Sequence, residues 1–207
     1  MSRSPKERTL DAQILGRNVR YDYSETWVAW STFGLRIIMA WVFLQAGLEK
    51  LFDGGLSGFL DDPITGGWSA EFFLLGNPEA DIPAPTADSP ASGLFEWFGE
   101  NLLWLVEPMV VWGQIFIGLA LLFGVLVRLA AFLGSLQMFF FWLAALQGGV
   151  LAGLPVEHGY VVDSTLVYIF ILFGLGAVGA GRVLGADAQI EEWPVVQDNP
   201  WLKYLLG

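Results

Sequence analysis

Four long apolar stretches constrain the fold of this chain more than any other feature of its sequence. A helix that crosses a bilayer needs about 20 mostly apolar residues, because the hydrocarbon core is about 30 Å thick and each residue adds about 1.5 Å. Each stretch has about that length and contains at most one charged residue. The sequence therefore predicts four membrane spans, at residues 27–48, 102–127, 129–147 and 165–184.

The composition agrees with a membrane protein and excludes several kinds of site. Of the 207 residues 55% are hydrophobic and 15% are charged, against about 25% charged in soluble domains. The net charge of −11 disfavours nucleic acid as a partner. The chain has no cysteine and a single histidine. We therefore expect no haem, no iron–sulfur cluster and no metal in this chain.

Basic residues indicate how the spans are oriented, since Lys and Arg favour the cytoplasmic side. Five of the ten precede the first span, and Arg128, Arg182 and Lys203 follow the second and fourth spans. Residues 53–100 contain nine acids and no base. We predict an all-α integral membrane protein of the plasma membrane, a four-helix transmembrane bundle with N-in/C-in topology and a long external insertion between helices 1 and 2. Its parts are a cytoplasmic segment (1–26), the membrane domain (27–184, with the insertion at 53–100) and a cytoplasmic tail (185–207).

The insertion at 53–100 is long for a simple connection. Aromatic residues cluster in both of its flanks, which predicts short amphipathic pieces at the outer interface, while residues 77–90 read as irregular chain. The insertion is either a lid over the bundle or a docking surface for an external redox partner. Its acidity indicates a halophilic archaeon as the source, or simply an acidic exterior. We expect residues 1–26 and the tail to be interfacial or loosely ordered.

Polar residues inside the spans are the candidate functional residues, because a charge in the bilayer is costly and usually faces a partner or a cavity. Counting helix rise from the outer boundary places Arg36 and Gln114 at the same depth, about 18 Å, and Gln137 close to it. This predicts a polar layer near the midplane. Glu107 lies seven residues before Gln114, on the same helix face.

Such a collection suits the head group of a quinone, which needs an acid to carry protons, hydrogen-bonding groups for its carbonyls and aromatic residues around its ring. We therefore predict that quinone is the cofactor. The predicted roles are charge stabilisation of the reduced head group by Arg36, proton exchange by Glu107, and cofactor binding by Lys50, Gln114, Gln137 and His158.

Each of these residues also has a purely structural interpretation. Arg36 and Gln114 would form an interhelical hydrogen bond that holds two spans together. Lys50 would extend to the interface, and Glu107 would be favoured by the dipole at the start of its helix. His158 would be an ordinary loop histidine.

Several segments resemble the DoxX/DoxD family in their order and spacing. The first span contains Gly-Leu-Arg followed by Phe-Leu-Gln-Ala-Gly-Leu-Glu-Lys-Leu, and the second continues with Gly-Leu-Ala-Leu-Leu-Phe-Gly and Arg-Leu-Ala-Ala. A glycine-rich fourth span is followed by Arg-Val-Leu-Gly-Ala-Asp. These segments are residues 34–36, 43–51, 118–124, 128–131, 174–181 and 182–187.

The resemblance implies a four-helix membrane bundle that occurs in relatives as the membrane part of thiosulfate:quinone oxidoreductase or together with terminal oxidases. It also implies functional roles for Arg36, Lys50, Glu107 and Arg128. The insertion departs from the compact pattern of the family.

Two functions follow from these observations. The first is a subunit of a quinone-linked membrane oxidoreductase, whose partners are the lipid bilayer and other membrane or external redox subunits. The alternative is a non-catalytic accessory or scaffold subunit of a larger respiratory-type membrane complex. The sequence leaves open the substrate, the oligomeric state and whether the chain is itself catalytic.

Overall fold

The computed structural model describes residues 7–146 and 162–207. The described chain is mostly helical, with one two-stranded sheet at its N-terminal end. The described residues also form three short 3-10 helices, at Pro78–Ala80, Ala180–Arg182 and Pro200–Tyr204. The strands and α-helices are β1 (Glu7–Ile14), β2 (Arg17–Ser24), α1 (Glu25–Leu51), α2 (Gly55–Asp61), α3 (Glu71–Leu75), α4 (Ser92–Asn101), α5 (Leu103–Phe123), α6 (Val127–Ala145), α7 (Ser164–Val178), α8 (Asp187–Ile190) and α9 (Pro194–Asp198).

Within the described residues, three helices are long and apolar enough to cross a membrane: α1, α5 and α6. They correspond to the first three predicted spans. The fourth predicted span is shorter than expected, because α7 ends at Val178 and not near residue 184. Gly179 stops it by adopting a left-handed conformation with φ 67°, after which the chain forms a 3-10 turn. Its 15 residues extend about 22 Å.

These four apolar helices pack around one hydrophobic core. The most extensive helix contacts are those between α1 and α5 and between α6 and α7. Glycines permit the close approach of α1 and α5. A Cβ added at Gly47 would lie 2.7 Å from Cγ1 of Ile115, and one added at Gly118 would lie 2.6 Å from Cγ of Leu44. This is the small-residue packing typical of membrane helices.

Residues 7–24 form an antiparallel β-hairpin that the sequence analysis does not predict. Polar and apolar residues alternate along both strands, which is the pattern of a strand with two different faces. The two-residue turn has positive φ at both positions, 51° at Leu15 and 75° at Gly16. β2 runs directly into α1, and Arg8 forms an ion pair with Glu25 in the first turn of that helix.

The acidic segment, which we define as residues 53–100, folds against the ends of α5 and α6. Helices α2, α3 and α4 form its flanks, and the central residues form turns around a 3-10 helix. Ala70, Leu74 and Phe95 of this segment form a buried hydrophobic cluster with Ala144 of α6. Eight of its nine acids are exposed. The segment therefore covers the helix ends with its apolar side and presents its acids to solvent.

The C-terminal tail is ordered, in contrast to one of the two expectations for it. Val196 and Leu206 are buried, and the backbone N–H of Leu129 in α6 donates to the carbonyl of Leu205 at 3.2 Å. The tail thus packs back against the N-terminal end of α6.

Candidate functional site

A cavity of about 1150 Å³ lies between α5 and α6. We call it the α5–α6 groove. Among the described residues that line it, Lys50 and Gln137 are the two with polar or charged side chains, and the others are apolar or aromatic apart from one glycine. Trp68, Phe73 and Phe95 of the acidic segment line one end of it. The groove is therefore suited to a large apolar ligand with a few polar groups.

The groove opens on the flank of the helix pair. Met109 and Phe116 of α5, and Leu133 and Leu136 of α6, line the groove and are also between 43% and 61% exposed. Such exposure of large apolar side chains is expected for a surface that faces lipid. A ligand dissolved in the bilayer can therefore enter sideways between the helices without passing through water.

Gln137 supplies the polar group in the middle of the groove. Its Nε2 donates to the carbonyl of Val110 across the gap, at the long distance of 3.4 Å. Its Oε1 is buried and has no hydrogen-bond partner within the described residues. An unpaired buried acceptor is costly, so this oxygen is suited to accept a hydrogen bond from a ligand.

Lys50 lies in the last turn of α1, at the end of the groove near the acidic segment. Its Nζ donates to the carbonyl of Ala46 at 3.1 Å and lies 5.5 Å from the ring centroid of Trp68. No ion pair involves Lys50 in the described part of the chain. The ammonium group is thus held at this end of the groove by a carbonyl and an aromatic ring.

Arg36 does not line the groove. It is fully buried, and its guanidinium lies beside the ends of α5 and α7 that are distant from Lys50. Its guanidinium donates to the carbonyl of Ala180 at 2.7 Å and to that of Leu184 at 3.0 Å. A Cβ on Gly124 or Gly185 would lie 2.6 Å from Nη1, so both glycines make room for the guanidinium. Arg36 therefore joins α1 to the turns that follow α5 and α7.

Asp187 completes this junction, and the sequence analysis assigns it no role beyond its place in the closing motif. Its fully buried carboxylate interacts electrostatically with Arg36. It accepts backbone hydrogen bonds from Leu126 at 2.7 Å, Val127 at 3.1 Å and Gly207 at 2.7 Å. The carboxylate thus caps the start of α6. The signal in the sequence is one acid after a run of small residues, which does not identify its partners.

The predicted midplane layer of Arg36, Gln114 and Gln137 does not form. The depth count assumes that the end of α1 and the start of α5 lie level at the outer boundary, but Leu51 at the end of α1 packs against Val111. The first eight residues of α5 extend about 12 Å past that level. Arg36 consequently lies level with the end of α5 and not beside Gln114.

Glu107 lies in that extended part of α5 and holds the acidic segment. Its Oε1 accepts hydrogen bonds from the hydroxyl of Ser69 at 2.6 Å and from the backbone N–H of Ala70 at 3.0 Å. Glu107 is not among the residues that line the groove, although its neighbours Val106 and Pro108 are. It positions the wall of the groove.

The remaining predicted residues lie outside the groove or outside the described chain. Gln114 is buried beside Gly47, and its Oε1 has no hydrogen-bond partner in the described residues. His158 lies outside the described residues. Of the six predicted site residues, the structure thus brings Lys50 and Gln137 to one cavity.

A comparison with known protein families gives one match. The model of the family described as DoxX matches residues 31–147, which is more than half of the chain. The chain belongs to the DoxX family. No curated protein and no solved structure matches it.

The matched range of this DoxX protein includes most of α1 and all of the acidic segment, α5 and α6. It therefore contains both walls of the groove and its two polar residues, Lys50 and Gln137. It ends before α7 and Asp187. The family match identifies a multi-pass membrane protein, and the groove lies wholly within the part that carries the match.

Proposed function

We propose that this DoxX protein is a quinone-binding membrane subunit of a quinone-linked oxidoreductase, with the α5–α6 groove as its binding site. The observation that carries the proposal is an apolar groove of about 1150 Å³ that Gln137 lines, since the buried Oε1 of this side chain has no hydrogen-bond partner among the described residues. We further propose that α7 crosses the membrane with α1, α5 and α6, in the N-in/C-in topology that the basic residues indicate.

The chemistry of the groove matches a quinone better than a purely apolar lipid tail. The amide of Gln137 can donate to a quinone carbonyl through Nε2 and accept from a quinol hydroxyl through Oε1, so it can hydrogen-bond either form. The aromatic side chains of Trp68, Phe73 and Phe95 provide flat surfaces near the Lys50 end. An isoprenoid tail fits the open flank between the helices.

In this proposal this chain binds the quinone and another protein reduces it. Reduction of a quinone takes two electrons and two protons, and the chain has no cysteine and one histidine with which to hold a redox centre. A partner subunit then supplies the electrons. The role of this chain is to bind and orient the head group through Gln137, with Lys50 placing a positive charge near its oxygens.

In this proposal neither Arg36 nor Glu107 makes a polar contact with the quinone. Both side chains are engaged in hydrogen bonds that join segments of the fold, and neither lines the groove. In the proposal their effect on quinone binding is therefore indirect, through the shape of the bundle and of the acidic segment.

The test is a titration of the full chain in lipid nanodiscs with a short-tailed quinone, followed by quenching of tryptophan fluorescence, since Trp68 and Trp112 line the groove. Gln137→Leu removes one hydrogen-bonding group, and we expect about tenfold weaker binding. The matched control is Gln45→Leu, because Gln45 is exposed on α1 and pairs with Glu49. Equal affinity of the Gln137→Leu variant and the wild type would refute the assignment.

The structural roles of Arg36 and Glu107 favour a second candidate, the non-catalytic accessory subunit. In that case the gently solubilised protein copurifies in fixed stoichiometry with other membrane subunits and contains no quinone. Mass spectrometry of the intact complex separates the two, because it detects the subunits and the bound quinone together.

A further inference from the structure

The N-terminal hairpin has two chemically different faces. Residues paired across the strands share a face, as in the pairs Leu10 with Tyr21 and Asp11 with Arg20. The apolar face carries six apolar or aromatic residues and two arginines. These are Arg8, Leu10, Ala12, Ile14, Arg17, Val19, Tyr21 and Tyr23. The opposite, polar face carries three acids and one base among its eight residues.

Three of the four charged side chains on the polar face have a hydrogen-bond partner on that face. Arg20 donates to both carboxylate oxygens of Asp11, at 2.6 and 3.2 Å, and the hydroxyl of Thr9 donates to Asp22 at 2.6 Å. The hydrogen bond to Asp11 raises the pKa of Arg20. This face is suited to water and needs no partner.

The apolar face is uncovered within the described chain. Leu10, Val19 and Tyr21 are between 37% and 49% exposed, and Ile14 is 53% exposed. Both charged residues on this face are arginines. Arg8 pairs with Glu25, whereas Arg17, near the tip, has no ion pair among the described residues.

The turn carries a leucine where its conformation favours asparagine or glycine. Leu15 has φ 51° and is 98% exposed. A left-handed leucine costs about 1–2 kcal/mol, so this residue contributes nothing to the stability of the turn. It places a fourth large aliphatic side chain, after Leu10, Ile14 and Val19, at the exposed end of the hairpin.

The hairpin is also attached at the level of the membrane surface. It runs without a loop into α1, whose first turns expose Trp27 and Trp30 at 71% and 60%. Exposed tryptophans at the end of a membrane helix mark the boundary with water. The hairpin therefore starts where lipid head groups lie.

We propose that this hairpin binds the membrane surface, with its apolar face and Leu15 in the interface and Arg17 at anionic lipid head groups. An isolated two-stranded hairpin is at best marginally stable in water, and burial of this face in the interface stabilises it. Face-to-face pairing with a second copy is disfavoured, because it would place the arginines of both copies in one apolar layer.

The absence of native cysteine allows a direct test with the full chain. Val19→Cys on the apolar face and Asn18→Cys on the polar face are adjacent positions, each labelled with a polarity-sensitive fluorophore. The protein is reconstituted in phosphatidylcholine vesicles with or without phosphatidylglycerol. We expect nitroxide-bearing lipids to quench the label at position 19, and iodide in the water to quench the label at position 18.

The charge contribution is tested with Arg17→Gln, and the control is Arg20→Gln on the polar face. We expect Arg17→Gln to lower the equilibrium constant for binding of the hairpin to the anionic bilayer surface about fivefold, measured by nitroxide quenching of the label at position 19, and Arg20→Gln to leave it unchanged. Equal access of iodide to both labels would overturn the proposal. Protection at position 19 that disappears when the protein is reconstituted at a much higher lipid-to-protein ratio would also overturn it, in favour of pairing between copies.

Discussion

Replacement of Asp187 by alanine should destabilise the protein more than any other single change in the C-terminal tail. The fully buried carboxylate accepts hydrogen bonds from three backbone N–H groups and interacts with the buried Arg36. Removing one partner of a buried charge pair costs about 3–5 kcal/mol, and each unpaired N–H about 1–3 kcal/mol. These costs overlap, so we expect a loss of about 4 kcal/mol.

Thermal unfolding in detergent measures this loss, and the 10 tryptophans give the signal. For a chain of this size each 1 kcal/mol corresponds to about 2–4 °C, so Tm should fall by about 8–16 °C. The control is Asp198→Ala, because Asp198 is an exposed acid in the same tail and its loss should cost under about 0.5 kcal/mol.

A second variant tests the reason for the loss. If Asp187 mainly compensates Arg36, then Arg36→Met should cost less in the Asp187→Ala protein than in the wild type, with a coupling of about 0.5–3 kcal/mol. A Tm for Asp187→Ala within about 2 °C of the wild type would refute the assignment of the junction.

Three further predictions concern Gly181, Glu107 and Glu191. Gly181→Ala should lower Tm, because its Cβ would lie 1.9 Å from the buried carboxylate, whereas Gly174→Ala, with nothing within 4 Å, should leave Tm unchanged or raise it slightly. Glu107→Ala should speed protease cleavage of the acidic segment. Glu107→Gln keeps the acceptor oxygen, so its cleavage rate should stay close to that of the wild type. The hydrogen bond from Arg182 lowers the pKa of Glu191. The Tm difference between wild type and Glu191→Gln should therefore be present at neutral pH and vanish as pH falls below about 4, through that lowered pKa.

The spans were predictable from the sequence because hydropathy over 20 residues is a local property. The end of the fourth helix was not, since a left-handed glycine stops it within an apolar run that continues to Leu184. The hairpin was detectable in principle. Polar and apolar residues alternate along both of its strands, but the average hydropathy of such a segment is low and the strongly apolar first span follows directly.

The polar residues were recognisable as candidates, but their partners were not. The register of α1 against α5 is set by Leu51 packing on Val111, and no local pattern encodes that offset. Arg36 finds its partners 144 and 148 residues further along the chain, in turns whose geometry depends on the whole bundle. A buried arginine therefore indicated a polar site without indicating whether it was structural or chemical.

The existence of the groove follows from how the ends of α5 and α6 are held. At one end the helices are joined by a short turn, which Asp187 fixes by capping α6. At the other end the acidic segment bridges them, because Glu107 of α5 holds Ser69 and the carbonyl of Leu143 in α6 accepts from Ser89. The close, glycine-mediated contact of α5 is made with α1, whereas large side chains such as Phe116 of α5 and Leu133 of α6 line the space between α5 and α6. The helices are thus tied at both ends, and the cavity between them is lined by Gln137 and is large enough to hold a ligand.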